Sequence, residues 1–256
     1  MNVIGVIPAR MGSTRFPGKP LKKIHGMPMV GHCYHRTAMA PGIDKAYVAT
    51  CDSEIYDYIL SIGGNAVMTA DTHTRATTRT AEALEKIEKQ TGQKVDVVVM
   101  VQGDEPLIHP DTIGETIPHF QDKSVDIVNI MSRLDTKESF EDKNNVKVVV
   151  NNNSDALYYS REPVPSPWNG WEDLPRYMQT GIIAFRRETL IAFNAMPETR
   201  LEQIESVDMN RVLETGGRIR MVLTDATTIG VDVPEELAAA EVMLNGDDIL
   251  ERYIQS

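Results

Sequence analysis

The order of apolar segments in this 256-residue chain predicts an α/β protein with a mostly parallel sheet. Strand-like runs alternate with helical stretches along residues 1–110, and these strands are largely apolar on both faces. Helices that cover both faces of a parallel sheet produce that pattern. Between residues 121 and 197 the strands follow one another more closely, so we expect a mixed or antiparallel insertion that serves dimerisation. The length suits a single domain, residues 1–256, that includes this insertion.

The individual elements are predicted from local patterns. Short apolar runs bounded by turn residues indicate strands, and they occur at 3–7, 46–50, 95–101, 127–131, 146–150, 181–185 and 219–223. Apolar residues at helical spacing, or a concentration of good helix formers, indicate helices, and these patterns occur at 28–39, 53–62, 79–89 and 234–244. The last of these opens with proline, whose missing N–H is harmless at the first helical position.

Charge and composition exclude several classes of function. The chain has 26 Lys and Arg against 37 Asp and Glu, a net charge of −11, which argues against nonspecific binding to nucleic acid. It contains no apolar run near the ~18 residues that a membrane span needs, and its N-terminus lacks a signal-peptide pattern. Cys33 and Cys51 are too few for a disulfide framework. We therefore expect a cytoplasmic protein with no membrane partner.

The scarce basic charge is concentrated directly after the first strand. Segment 8–20 reads PARMGSTRFPGKP and contains no acidic residue. In open α/β sheets, ligands bind beyond the carboxyl ends of the strands, where this loop belongs. Its two glycines permit close backbone approach, and Arg10, Arg15 and Lys19 suit a polyphosphate. The spacing matches neither a Walker loop nor a dinucleotide fingerprint, and a solvated basic loop that binds nothing is the alternative.

Two aspartates are candidate metal ligands. Asp104 follows the apolar strand at 95–101, and Asp232 lies just before the helix at 234–244. Hard divalent ions such as Mg²⁺ prefer oxygen ligands and often use one or two carboxylates together with substrate phosphates. The residues alone leave open whether the two carboxylates meet, because either could instead cap a helix or be solvated.

The loop resembles the signature of nucleotide-sugar cytidylyltransferases, most closely that of the CMP-Kdo synthetase family, which activates 3-deoxy-manno-octulosonate (Kdo) for lipopolysaccharide biosynthesis. Similar segments follow in the same order along nearly the whole chain, at 8–20, 48–50, 101–106, 146–149, 156–161 and 230–235. The resemblance implies a Rossmann-like nucleotidyltransferase fold with a dimerisation insertion. It also implies CTP as nucleotide, Mg²⁺ as cofactor and a homodimer.

The same resemblance assigns roles to individual residues. The implied catalytic residues are Arg10, Lys19, Asp104 and Asp232. Those implied to bind the metal are Asp104 and Asp232. The implied CTP-binding set is Ala9, Arg10, Gly12, Ser13, Arg15, Lys19, His73, Arg75, Thr77, Arg79 and Asp104. The implied acceptor-binding set is Gln102, Arg161, Gln179 and Asp208.

The acceptor side departs from the family pattern. Segment 73–79 reads HTRATTR where the family has His-x-Ser-Gly-Thr-Glu/Asp-Arg. Gln179, Ile183 and Met209 stand where the family has His, Tyr and Gln. A site built on hydrogen bonds discriminates strongly when donors and acceptors change, so these replacements argue against Kdo itself. Kdo or a related sugar acid is nevertheless the acceptor that we expect from the resemblance. The expected reaction is thus a Mg²⁺-dependent transfer of CMP from CTP to this acceptor, with release of pyrophosphate. The alternatives are a phosphonate or phosphate acceptor and a non-catalytic CTP-binding protein.

Overall fold

The computed structural model describes residues 1–12, 16–226 and 230–254. The chain divides into two compact units. The first unit combines Met1–Gly114 with Thr227–Ser256, and the second is Glu115–Ala226. The second unit includes the segment 121–197 in which closely spaced strands are predicted. The organisation of residues 1–256 as one functional domain stays a prediction.

The described residues form strands and helices in alternation. The strands are β1 (Val3–Pro8), β2 (Lys23–Ile24), β3 (Met27–Pro28), β4 (Lys45–Thr50), β5 (Ala66–Met68), β6 (Val97–Val101), β7 (Ile127–Arg133), β8 (Lys147–Val150), β9 (Ala156–Ser160), β10 (Tyr177–Arg186) and β11 (Arg220–Leu223). The α-helices are α1 (Met29–Ala38), α2 (Ser53–Ser61), α3 (Ala76–Thr91), α4 (Pro110–Gly114), α5 (Lys137–Glu141), α6 (Arg187–Ala195), α7 (Arg200–Glu205), α8 (Met209–Glu214), α9 (Pro234–Met243) and α10 (Asp248–Ile254). Two short 3-10 helices cover Lys19–Leu21 and Ile117–Gln121.

A parallel sheet forms the centre of the first unit. Strand β1 pairs in parallel with β4 on one side and β6 on the other, and β4 pairs in parallel with β5. The side chains of β6 are all buried, as expected for a strand covered on both faces. The chain leaves β1 towards β4 and later returns to β6 on the opposite side of β1. This reversal creates a topological switch point at the carboxyl end of β1, where ligands bind in such sheets.

The second unit contains a mixed sheet. Strand β7 pairs in parallel with β11 and antiparallel with β10. Strand β8 pairs antiparallel with both β10 and β9. The predicted mixed or antiparallel region is therefore confirmed, and so is the α/β fold class as a whole.

The predicted elements of the first unit are also present, with additions. The strands predicted at 3–7, 46–50 and 95–101 and the helices predicted at 28–39 and 53–62 correspond to β1, β4, β6, α1 and α2. The β2–β3 hairpin and strand β5 are additional elements, and helix α10 follows the predicted C-terminal helix α9. None of the helices in the described ranges is long and apolar enough to cross a membrane.

Candidate active site

The basic loop after β1 ends in a short helical turn that carries Lys19. Gly18 has a left-handed conformation, with φ of 70°, which glycine adopts without the steric cost of a Cβ atom. The turn Lys19–Leu21 begins at this point, with Pro20 in its first positions. The N–H of Gly18 also donates to the carbonyl of Met11 at 3.3 Å, which closes the loop. This backbone geometry places Lys19 directly after a tight reversal of the chain.

The Lys19 ammonium group contacts two carboxylates. Its Nζ atom lies 2.9 Å from Oδ2 of Asp104 and 3.0 Å from Oδ1 of Asp232. Burial by itself would lower the pKa of Lys19, but the charges and hydrogen bonds of Asp104 and Asp232 outweigh it and raise the pKa above the usual 10.5. The structure therefore brings together three of the predicted catalytic side chains around one positive charge.

A backbone hydrogen bond brings the segments of Asp104 and Asp232 together. The N–H of Val231 donates to the carbonyl oxygen of Asp104 at 2.8 Å. The N–H groups of Asp232 and Val233 both donate to the carboxylate of Glu236, in the first turn of α9. These bonds fix the backbone at Asp232, and its carboxylate accepts a hydrogen bond of 3.0 Å from Lys19.

Lys19, Asp104 and Asp232 line a cleft of about 360 Å³ at the carboxyl end of β1. Its size lies within the range of small-molecule sites. The predicted site residues that line it are Ala9, Arg10, Gly12, Lys19, Gln102, Asp104 and Asp232. Ala76, the first residue of α3, also lines it, and a helix N-terminus carries the partial positive charge that favours a phosphate. The cleft thus combines cationic side chains, a helix N-terminus and two carboxylates.

The predicted nucleotide-binding segment 73–79 approaches the cleft through its backbone. Arg10 donates from a guanidinium nitrogen to the carbonyl oxygen of His73 at 3.4 Å. The His73 ring pairs with Glu82. Burial would raise the pKa of Glu82, but hydrogen bonds from Lys86, the Ala70 N–H and His73 lower it to about 2. The His73 side chain is therefore engaged by a charged carboxylate.

Arg75, Thr77 and Arg79 lie at the start of α3. Arg75 immediately precedes the helix, while Thr77 and Arg79 are buried. The guanidinium of Arg79 donates to Oγ1 of Thr69 at 2.6 Å and to the carbonyl of Ala70 at 3.3 Å. Within the described ranges, Ala76 is the residue of this segment that lines the cleft. The binding of CTP by His73, Arg75, Thr77 and Arg79 stays a prediction.

Two other predicted nucleotide ligands, Ser13 and Arg15, lie outside the described residues. Gly12, the last described residue before them, is exposed. The preceding residue, Met11, is fixed by a hydrogen bond of 2.8 Å from its N–H to the carboxylate of Asp52. The described part of the loop is thus tied to the end of β4 on one side and to the Lys19 turn on the other.

Of the predicted acceptor residues, Gln102 lines the cleft, whereas Arg161, Gln179 and Asp208 belong to the second unit. In that unit the Arg161 guanidinium donates to the carbonyl oxygens of Glu205 at 2.7 Å, Lys143 at 2.9 Å and Ser206 at 3.5 Å. Arg161 therefore joins the end of α7 to the segment before β8. This structural role was not predicted, and binding of an acidic acceptor by Arg161 stays a prediction.

Gln179 and Asp208 occupy different positions in the second unit. Gln179 lies on β10, and its Oε1 atom is buried with no hydrogen-bond partner among the described residues. Asp208 immediately precedes helix α8. A buried polar atom without a partner costs free energy unless a bound molecule or water supplies one.

The donor set of the cleft fits a magnesium ion. A positively charged nitrogen already contacts one oxygen of each carboxylate, so Asp104 and Asp232 can share a cation. Among the described residues, no group of three or more His, Cys, Asp or Glu side chains could hold a metal by itself. Mg²⁺ typically binds one or two protein carboxylates and takes its other ligands from substrate phosphates and water.

Sequence reasoning did not assign Gly103 or Glu236 to the site. A Cβ atom at Gly103 would lie 3.0 Å from the carbonyl oxygen of Pro8, so glycine permits β1 and the end of β6 to approach each other. Glu236 anchors the backbone of Asp232. The signal for Gly103 was its place between Gln102 and Asp104, whereas Glu236 looks like any acidic residue in a first helical turn.

A cleft at the switch point of a parallel sheet, with cations facing paired carboxylates, suits nucleotidyl transfer. Residues 4–220 match the family model described as cytidylyltransferase. The 3-deoxy-manno-octulosonate cytidylyltransferase of Geobacter metallireducens is 42% identical over 248 residues, which cover 93% of this chain and 95% of that protein. The enzyme of the same name from Trichlorobacter lovleyi is 40% identical over 252 residues, which cover 94% and 98%.

A solved structure supports the same grouping. The structure of CMP:2-keto-3-deoxy-manno-octonic acid synthetase complexed with CTP is 34% identical, with a TM-score of 0.88. The match covers 96% of this chain and 100% of that one. The chain therefore belongs to the cytidylyltransferases, and among them to the family of 3-deoxy-manno-octulosonate cytidylyltransferases.

Proposed function

We propose that this protein transfers CMP from CTP to Kdo and releases pyrophosphate, with Mg²⁺ as its cofactor. The observation that carries the proposal is the contact of Lys19 with both Asp104 and Asp232 in the cleft at the end of β1. The relatives that share this fold carry the name of that activity, and the CTP complex of the solved relative supports CTP as the nucleotide.

The basic loop would hold the triphosphate. Arg10 and Lys19 line the cleft with the N-terminus of α3, so anionic phosphate oxygens would meet two cations and a helix dipole. Arg10 is oriented by the His73 carbonyl, and Lys19 by the tight turn that follows Gly18. Such fixed donors stabilise the charge that develops on phosphorus oxygens without reorganising during the reaction.

The transfer is a displacement at the α-phosphorus of CTP. A hydroxyl oxygen of the acceptor forms a new bond to that phosphorus, while the bond from the α-phosphorus to the bridging oxygen of the β-phosphate breaks. The hydroxyl proton leaves to solvent, and pyrophosphate carries away the electron pair of the broken bond. Positioning and charge neutralisation account for most catalysis of this kind, so no protein nucleophile is required.

Asp104 and Asp232 would hold the metal ion. When bound, Mg²⁺ supplies Lewis-acid polarisation of the phosphoryl group and orients the reacting oxygens. The chain's own contribution is to keep the two carboxylates in place. The N–H of Val231 donates a hydrogen bond to the Asp104 carbonyl, and the N–H of Asp232 donates one to the Glu236 carboxylate.

We also propose that the protein is a homodimer that acts in the cytoplasm. The second unit exposes large apolar side chains, including Leu157 at 57%, Trp168 at 90% and Ile204 at 65% exposure, and a subunit interface would cover such groups. Both cysteines are free thiols, which suits a reducing compartment. Light scattering on the purified protein would measure the mass in solution, and a mass equal to one chain would contradict the dimer.

The test of the proposed reaction is a pyrophosphate-release assay with CTP, Mg²⁺ and Kdo. We expect pyrophosphate release that depends on all three components. Mass spectrometry should detect a product in which CMP is joined to Kdo. Replacing CTP by ATP, GTP or UTP provides the control for the base. Tight binding of CTP by calorimetry without release, for every acceptor tried, would instead identify a non-catalytic nucleotide-binding protein.

A second candidate function is transfer of CMP to a different acid. Gln179 favours it, because this residue stands where the family has His, and its buried Oε1 atom, which has no partner among the described residues, would accept a hydrogen bond from a bound molecule. The same assay with amino-Kdo, other sugar acids and small phosphonates decides between the candidates. If one of these compounds gives a higher kcat/KM than Kdo, that compound and not Kdo is the acceptor.

A further inference from the structure

The last turn of helix α10 contains a buried tyrosine, Tyr253, whose hydroxyl contacts two other buried polar groups. Tyr253 is 4% exposed. Its hydroxyl lies 2.8 Å from Nδ1 of His32 and accepts a hydrogen bond of 3.2 Å from Nε of Arg36. His32 and Arg36 occupy successive turns of α1 and are fully or almost fully buried. A phenol that both donates and accepts inside an apolar cluster is costly to bury unless both bonds are satisfied.

His32 connects Tyr253 to the Lys19 turn. Nε2 of His32 lies 2.9 Å from the carbonyl oxygen of Ile24, and a carbonyl can only accept, so Nε2 carries the proton. Nδ1 is then the acceptor for the Tyr253 hydroxyl. Burial lowers the pKa of His32 to about 4, so the ring is neutral. The charge of Arg36 also lowers this pKa, whereas the hydrogen bond to Ile24 opposes the shift. Ile24 belongs to the β2–β3 hairpin, which begins two residues after the Lys19–Leu21 turn.

Arg36 connects Tyr253 to the segment that follows Asp104. One guanidinium nitrogen donates to the carbonyl oxygens of Leu107 at 3.4 Å and Ile108 at 3.3 Å. The other pairs with the carboxylate of Asp247, directly before α10. Arg36 thereby ties the start of the last helix to the chain just beyond the first metal-binding aspartate.

An apolar cluster completes the connection to Asp232. Tyr253 packs in one cluster with Phe16 of the basic loop, Ile24 of the hairpin and Val231, the residue before Asp232. Leu244, at the end of α9, belongs to the same cluster. The three chain segments that carry Lys19, Asp104 and Asp232 therefore each connect to α10 through buried contacts.

We propose that Tyr253 is a positioning residue, whose hydroxyl holds the segments of Lys19 and Asp104 in the arrangement that the reaction requires. It acts through His32 and Arg36 and touches neither Lys19 nor either aspartate. The kinetic part of this inference rests on the proposed function; the structural part does not. The chemistry requires the cation and both carboxylates at fixed separations, and small displacements of such groups reduce rates strongly.

The test compares Tyr253→Phe with Tyr34→Phe. Both variants remove one buried hydroxyl and keep the ring. Tyr34 also lies on α1, but its hydroxyl accepts from the backbone and side-chain nitrogens of Asn65, at 3.2 and 3.3 Å, before β5. Hydrogen exchange read by mass spectrometry would follow the peptides that cover residues 16–28 and 104–108. Steady-state kinetics with CTP and Kdo would follow kcat and both KM values at a temperature where each variant is folded.

We expect Tyr253→Phe to speed exchange in both peptides by about tenfold, the equivalent of one buried hydrogen bond, and Tyr34→Phe to leave them unchanged. We expect kcat to fall about tenfold in Tyr253→Phe, with KM for Kdo unchanged, since the acceptor contacts are not altered. Wild-type exchange in Tyr253→Phe, or an equal loss of kcat in Tyr34→Phe, would overturn the proposal. If the wild-type protein fails to use Kdo, the proposed function fails and the exchange comparison decides this inference by itself.

Discussion

The backbone N–H of Val231 donates a hydrogen bond of 2.8 Å to the carbonyl oxygen of Asp104. This bond joins the end of the most buried strand to the segment that leads into α9, and so brings two carboxylates from distant parts of the chain to one cation. That cation is Lys19.

Replacing either aspartate should abolish metal-dependent transfer. In Asp104→Asn and Asp232→Asn, a neutral amide replaces a carboxylate that would bind Mg²⁺, so we expect kcat to fall by about 10²–10³-fold. Pyrophosphate release at saturating CTP and Mg²⁺ measures it, with circular dichroism to show that the fold is kept. Asp111→Asn is the matched control, because its side chain is 71% exposed. Turnover within twofold of wild type in both test variants would remove the metal assignment.

Lys19 should compete with a metal ion before the nucleotide binds. Its ammonium contacts both carboxylates, so Lys19→Met should raise the affinity for Mg²⁺ in the absence of CTP by about fivefold, or ~1 kcal/mol. The same variant should lower kcat, because the cation that faces the phosphates is lost. Calorimetric titration with Mg²⁺ alone measures the first effect, with Lys123→Met, an exposed lysine, as the control. An unchanged or weaker affinity for Mg²⁺ would contradict the competition.

The buried ion pair of the second unit should be essential for stability. Arg211 and Glu202 are 5% and 0% exposed and share two short hydrogen bonds of 2.7 and 2.5 Å. Glu202→Gln leaves the guanidinium charge buried without its counter-ion, which should lower the free energy of unfolding by about 3–5 kcal/mol. Glu162→Gln breaks the exposed pair with Lys143, which solvent screens, and should leave the free energy of unfolding nearly unchanged. Urea denaturation measures both, and equal losses in the two variants would show that burial does not control the effect.

Stability should fall in mild acid because of His32. Its pKa is about 4 in the folded protein, against 6.5 for the free side chain, since burial and the nearby charge of Arg36 disfavour the imidazolium. Between these pH values the unfolded chain binds more protons than the native one, so the free energy of unfolding decreases as the pH falls. This single group should account for about 2–3 kcal/mol between pH ~6.5 and pH ~4.

The contribution of His32 can be isolated with His32→Gln. The glutamine amide can still donate to Ile24 and accept from Tyr253, but it does not titrate, so the variant should lose less stability in acid than wild type. Carboxylates that titrate in the same range cancel in the difference between the two proteins. Urea denaturation at several pH values provides the measurement, and parallel pH profiles would exclude His32 as the source.

Local patterns in the sequence were sufficient for most of the sheet and its helices. The strands β1, β4 and β6 were predicted because each is a short apolar run bounded by turn residues, and the helices α1 and α2 because their apolar residues recur at helical spacing. The hairpin of β2 and β3 has two residues in each strand, and β5 has three, so neither shows a period. Such short elements form because the surrounding fold supplies their partners.

In the candidate site, too, only those features were predictable that depend on residues close together in the sequence. Segment 8–20 was assigned to a phosphate because its cations and glycines are contiguous, and the cleft is lined by Arg10 and Lys19 as that interpretation requires. Arg161 was assigned to an acidic acceptor because it matches an arginine of the family pattern, and that role stays a prediction. In the structure its guanidinium also donates to three backbone carbonyls from two separate segments, which a sequence does not reveal.

The sequence by itself determined the fold class, the basic loop and the place of each aspartate at the end or start of an element. Those properties depend on residue type and local spacing. Only the tertiary structure decided that Asp104 and Asp232 meet at Lys19, and that Tyr253 connects to all three segments. The physical reason is that both depend on strand order and on hydrogen bonds between residues far apart in the chain, such as the bond from Val231 to Asp104.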